Sequence, residues 1–155
     1  MPGTFSLEPS SQFFARLSAV LGEQARVIDR VFPTSVDVMM PFLERVAEDV
    51  ISEFVTPILD EAHDRDIEMY LKAVAGIYHQ LLEFSKTLLP TVGSGGNSHQ
   101  DVAKIMGRVF EAHVDLYLQE ELDNFRKKCQ TEVDSWEKKV GLRRPAAFHT
   151  MLRKC

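Results

Sequence analysis

The chain has 155 residues, of which 45% are apolar and 26% charged, with a net charge of −5; this is the balance of a folded domain with its own core. The charge is divided: up to Glu137 there are 12 basic and 23 acidic residues, net −11, whereas Lys138, Lys139, Arg143, Arg144, Arg153 and Lys154 make the end +6. An acidic body excludes the basic face that nucleic acid needs, and the basic end limits membrane contact to the periphery, through anionic lipid.

Residues 1–9 read as a flexible lead-in. Ser10 or Ser11 is expected to cap a first helix that runs to Val31 and is stopped by Pro33. Its apolar positions Phe13, Phe14, Leu17, Val20, Leu21, Val27, Ile28 and Val31 keep helical spacing. Ser35 is placed to cap a second helix, Val36 to Asp64, with an apolar stripe of Met39, Leu43, Val46, Val50, Phe54 and Ile58, widened by Ala47, Ile51, Val55 and Ala62. Pro57 removes an interior hydrogen bond and crowds the preceding turn, so a kink or break is expected at Thr56–Pro57. A third helix is expected from Asp66 to Leu89, where Pro90 ends it, with Ile67, Tyr70, Val74, Ile77, Tyr78, Leu81, Leu82 and Leu88 inward. Residues 91–99 are rich in Gly and Ser and form a loop, and Asn97 or Ser98 caps the last helix.

That last helix dominates the chain. From Ala103 to Val140 there is no proline and only one glycine, Gly107, before Gly141, which suits a left-handed C-terminal cap. Leu118, Leu122, Phe125, Cys129, Val133, Trp136 and Val140 recur at spacings of three and four. About forty helical residues span roughly 60 Å, against a radius of gyration near ~15 Å for a compact domain of this length. The expected fold is therefore all-α: an elongated antiparallel bundle of four main helices with one very long C-terminal helix. Residues 10–140 form the bundle and 141–155 a basic tail. Asp123–Lys127 and Asp134–Lys138 stand at i,i+4 as surface pairs. Apolar surface beyond the reach of the other helices needs a cover, from a further part of the same rod or from a partner protein. Tyr117, Leu118, Phe125 and Trp136 are the candidate partner-binding residues.

Other motifs carry no chemistry. Asp60-Glu61-Ala62-His63 spells a helicase box, but the glycine-rich phosphate loop that such an enzyme requires does not occur in the sequence. Asp60, Glu61, His63, Asp64, Asp66 and Glu68 cluster, yet none of the five histidines has Glu at i−3, as a bundle di-iron site needs. They read as a solvated helix end. His113 adjoins Val109, Phe110 and Leu116 and reads as a core or boundary histidine. Cys129 falls on the apolar stripe and reads as a buried thiol, with no histidine near it in sequence to activate it. Gly93-Ser94-Gly95-Gly96 is a linker, since no strand precedes it. No catalytic, cofactor or metal residue is assigned. Cys129 and Cys155 make no disulfide framework and fit a reducing compartment. The chain opens with no basic-then-apolar leader. No run approaches the ~20 apolar residues of a membrane span, and Cys155 lacks the residues a prenylation motif places after it.

Two long stretches, 31–88 and 109–140, carry a family resemblance, most clearly in TPILDEAHDRDIEMYLKAV and HVDLYLQEELDNF. They resemble the helical region of fungal recyclin-type proteins, in which an F-box is followed by a rod similar to the tenth exocyst component. The resemblance implies a non-enzymatic factor of vesicle tethering and endosomal recycling, cytoplasmic and peripheral on endosomal or plasma membrane. Its stacked antiparallel helices would engage small trafficking GTPases, SNAREs or tethering-complex subunits. No F-box precedes the matching stretch here, so ubiquitin-ligase adaptor function is not carried over, and the stretch from Leu142 departs from the family pattern. The rod here is a fragment of the usual length, as expected of a truncated product or a short paralogue. The alternatives are a self-associating coiled-coil scaffold, in which the second half of the long helix pairs with its copy as a homodimer, and a metal-dependent bundle enzyme centred on Asp60–Glu68.

Overall fold

The computed structural model describes residues 6–33, 36–92 and 98–141. The expected lead-in at 1–5, the Ser35 cap, the loop core at 93–97 and the tail from Leu142 lie outside the described residues. Among the described residues there is no strand. The elements in chain order are α1 (Glu8–Val31), α2 (Met39–Arg45), a π-helical segment (Val46–Ile51), α3 (Ser52–Arg65), α4 (Ile67–Val92) and α5 (Ser98–Val140). The chain divides into two compact units, Met1–Val114 and Asp115–Cys155.

The first unit is a bundle organised on α4. Its buried residues Tyr70, Ala73, Val74, Ile77, Leu81, Phe84 and Leu88 repeat at threes and fours along the whole helix. Tyr78 and Leu82, expected inward, are exposed. Each lies one residue, about 100° of helix, past a buried neighbour, and Phe84 takes the inward place. α3 joins α4 through a single extended residue, Asp66, so the two run antiparallel; His63 meets the Tyr70 ring edge-on at 5.0 Å. α1 runs parallel to α4, since its contacts advance with it. Ser10 meets Gln80, Phe14 meets Phe84 at 5.4 Å, and Ser18 lies 3.4 Å from Thr87. α5 returns antiparallel to α4, with Val102, Ile105, Met106, Val109 and Phe110 buried and Phe110 perpendicular to Tyr78 at 5.4 Å. With α2, the π-helical segment and α3 counted as one continuous helix, consecutive helices thus alternate in direction, as short connections impose.

α1 differs from expectation at both its start and its face. It begins at Glu8 with Pro9 in its first turn, a position that needs no N–H donor. Ser10 caps nothing: it is buried, its Oγ 2.6 Å from Gln80 Oε1 and 2.9 Å from the Leu7 carbonyl. Gln80 Nε2 donates to the same carbonyl at 3.2 Å, so a small polar knot ties the helix start to α4. There Leu7 packs so closely on Gly76 that a Cβ at that position would collide with it. Phe14, Leu21 and Ala25 face inward, while Val20, Val27 and Val31 are exposed. Phe13 stacks on Phe54 of α3 at 3.8 Å.

The second predicted helix also needs correcting. Its irregularity falls at Val46–Ile51, where the Ser52 N–H reaches back to the Ala47 carbonyl, five residues away. At Pro57, α3 stays helical. Pro57 and Glu53 are both exposed, so water can satisfy the Glu53 carbonyl that loses its donor. The wider turn has a packing consequence. Leu43, Ala47, Ile51, Val55 and Leu59 are all buried, and such four-residue steps drift about 40° each on a 3.6-residue helix. Adding a residue to one turn offsets that drift and keeps the five on one face. The expected stripe through Val50 therefore fails, and Val50 is 42% exposed. α4 likewise continues through Pro90 to Val92, where Pro90 and Lys86 are exposed.

Candidate functional site

The second unit supplies the site predicted from sequence. Between Asp115 and Val140 there is neither proline nor glycine, and Leu, Glu, Lys, Gln and Arg predominate, all strong helix formers. Gly141 closes the helix at φ +68°, its N–H donating to the Glu137 carbonyl at 2.9 Å, as a left-handed cap does. α5 thus runs 43 residues.

None of the residues 115–140 is buried. Leu118 is 58% exposed, Phe125 60% and Trp136 45%, and Leu122 and Val140 are exposed with them. Cys129 and Val133, between them on the same stripe, are half-buried. Cys129 is therefore not the fully buried thiol expected; it is free and partly accessible. At about 100° per residue the seven stripe residues fall within roughly 80° of one another. Tyr117 stands about 100° away from Leu118 and is half-buried. The structure therefore brings Leu118, Phe125 and Trp136 onto one face and leaves Tyr117 on another. Leu122 and Val140 belong to the face and were legible in the same periodicity.

Two polar contacts on this segment join neighbouring turns of the helix. Asp123 pairs with Arg126 at 3.7 Å, and Asp134 accepts from Gln130 Nε2 at 2.8 Å, where the sequence had suggested Lys127 and Lys138. Arg126 stands at i+3 from Asp123 and Gln130 at i−4 from Asp134, both neighbours on the helix surface that can take the contact in place of the lysines.

The remaining sequence candidates take structural places. His113 is half-buried in the first unit, 3.3 Å from Thr56 Oγ1 and beside Phe110, a boundary position. In the acidic cluster, Glu61 pairs with Arg65 at 2.5 Å and Asp66 Oδ1 accepts the Glu68 N–H at 3.3 Å. Among the described residues no three His, Cys, Asp or Glu side chains are grouped to hold a metal ion. Among them, too, no helix is long and apolar enough to cross a membrane. An ion pair at 3.6 Å joins Arg108 to Glu44 beside a small cleft of about 140 Å³ between α5 and the π-helical segment.

An α-helical bundle whose last helix presents a continuous apolar face has the character of a helical module that works within a protein assembly. The chain belongs to the family of exocyst complex component Sec10-like proteins: the model of that family's alpha-helical bundle matches residues 4–153. No curated protein matches the chain.

Proposed function

We propose that the chain is a non-enzymatic interaction module of a vesicle-tethering factor that serves exocytosis and endosomal recycling, within the recyclin-type group of Sec10-like proteins. Its place is the cytoplasmic side of endosomal or plasma membrane. The basic stretch from Lys138 through the tail 141–155 supplies peripheral contact with anionic lipid. One observation carries this reading: a chain of a tethering-subunit family displays Leu118, Leu122, Phe125 and Trp136 together on one exposed helix face. Large apolar side chains that share a face are what protein interfaces use as anchors. Tyr117 contributes from the neighbouring face. The partners are tethering-complex subunits, small trafficking GTPases or SNAREs.

Immobilised full-length protein offered purified tethering subunits and GTP-loaded trafficking GTPases should retain at least one of them. The Leu118→Glu/Phe125→Glu variant, altered only at exposed positions, should retain none while its melting temperature stays unchanged. Equal retention by both proteins would overturn the assignment of the face, and no retention by the native chain would overturn the function.

A further inference from the structure

The stripe on α5 has an order that helix formation alone does not require. Leu118, Leu122, Phe125, Cys129, Val133, Trp136 and Val140 are spaced four, three, four, then four, three, four. This is an eleven-residue repeat, which holds a stripe nearly parallel to the axis of a straight helix. The order is also the same from either end, with Cys129 at its centre.

Two such helices laid antiparallel match stripe to stripe with no shift of register. Leu118 then meets Val140 of the second copy, Leu122 meets Trp136, Phe125 meets Val133, and Cys129 meets its counterpart. Each aromatic ring faces an aliphatic side chain, the alternation of large and small that a close-packed seam needs. A parallel pair would set Phe125 on Phe125 and Trp136 on Trp136.

The flanking charges make the same choice of direction. Glu121, Lys128, Glu132 and Lys139 are exposed and fall within about 40° of one another along one edge of the stripe. Their signs alternate. An antiparallel pair brings Glu121 to Lys139 and Lys128 to Glu132, four opposite-charge contacts by symmetry. In a parallel pair the two-fold axis runs along the helices, so each edge meets the opposite edge and this match is lost. Along the other edge stand Gln119, Arg126, Gln130 and Glu137. Antiparallel pairing sets Arg126 against Gln130 and Glu137 against Gln119, so no like charges meet. Edge charges of this kind set partner choice and orientation in paired helices.

We propose that the α5 face binds a second copy of this chain as an antiparallel two-helix seam, with the two Cys129 residues on its two-fold axis. The seam spans about 33 Å from Leu118 to Val140. The inference rests on the reading of this face as an interaction surface, and a second copy seated there competes with the trafficking partners for it.

The test uses the full chain carrying Cys155→Ser, a short bismaleimide cross-linker and light scattering. Each thiolate adds across one maleimide double bond, so no oxidant is involved. The dimer mass should appear as concentration rises, and Cys129 should cross-link to Cys129. With Cys129→Ser in place, Leu118→Cys alone should not cross-link, since its copies lie about 33 Å apart. A mixture of Leu118→Cys and Val140→Cys chains should cross-link. Lys128→Glu should weaken self-association about tenfold, two symmetry-related contacts being reversed, and adding Glu132→Lys should restore it. A Leu118–Leu118 cross-link would show parallel pairing and overturn the proposal. So would a monomer at every concentration. A monomer that still captures trafficking proteins through Phe125 would overturn this inference and leave the proposed function standing.

Discussion

α5 passes through both units with one kind of sequence and two outcomes. Between Val102 and Phe110 its large apolar residues are buried. From Leu118 to Val140 the apolar residues keep the same three-and-four spacing, and not one is buried. Periodicity therefore states which side of a helix is apolar and leaves open what covers it. In the first unit α2, α3 and α4 supply side chains to that core. In the second the large apolar side chains Leu118, Leu122 and Phe125 stay exposed, and a surface of this kind is where a protein assembly has something to bind.

Substitutions can break that comparison. The largest effect is expected inside the bundle. Ile77, fully buried on α4, should lose about 2–5 kcal/mol on Ile77→Ala. Leu122→Ala, the same class of change on the open face, should stay within about 0.5 kcal/mol at concentrations where the chain is monomeric. Urea denaturation of both variants checks the contrast, and equal losses would mean that Leu122 is packed after all.

Pro57 sharpens the account of the second helix. Pro57→Ala supplies the missing N–H to the Glu53 carbonyl and should stabilise the fold by about 1–3 kcal/mol, seen as a higher melting temperature. No gain would mean that the helix at 53–57 is already fully satisfied. A smaller loss, about 1 kcal/mol, is expected for Ser10→Ala, which removes the buried hydroxyl between Leu7 and Gln80. It should also speed amide exchange in the first turn of α1.

The smallest effect concerns a fully exposed pair on α4. The Lys86 ammonium donates a hydrogen bond to Glu83 at 2.9 Å and adds its charge, so the Glu83 carboxyl titrates below its ordinary value. A lowered folded-state pKa makes the contribution to stability present above the unfolded value and lost as pH falls through the folded one. Lys86→Ala should return the Glu83 titration, followed by NMR, toward the ordinary carboxylate range with hardly any change in stability. An unmoved titration would remove Lys86 as the cause.

Sequence by itself determined that the chain is helical, where α1 ends, that α5 is a single long helix closed by Gly141, and which residues form the α5 stripe. These are local matters of propensity, capping and period, and the residues concerned answer them alone. Only the tertiary structure decided the rest. It chose Phe84 over Tyr78 and Leu82 for the interior, drew Ser10 from a capping role into contact with Gln80, and placed the irregular turn at Val46–Ile51 with α3 continuing through Pro57. Each of these depends on which neighbour lies across the interface, and a choice between adjacent side chains about 100° apart is made by that neighbour.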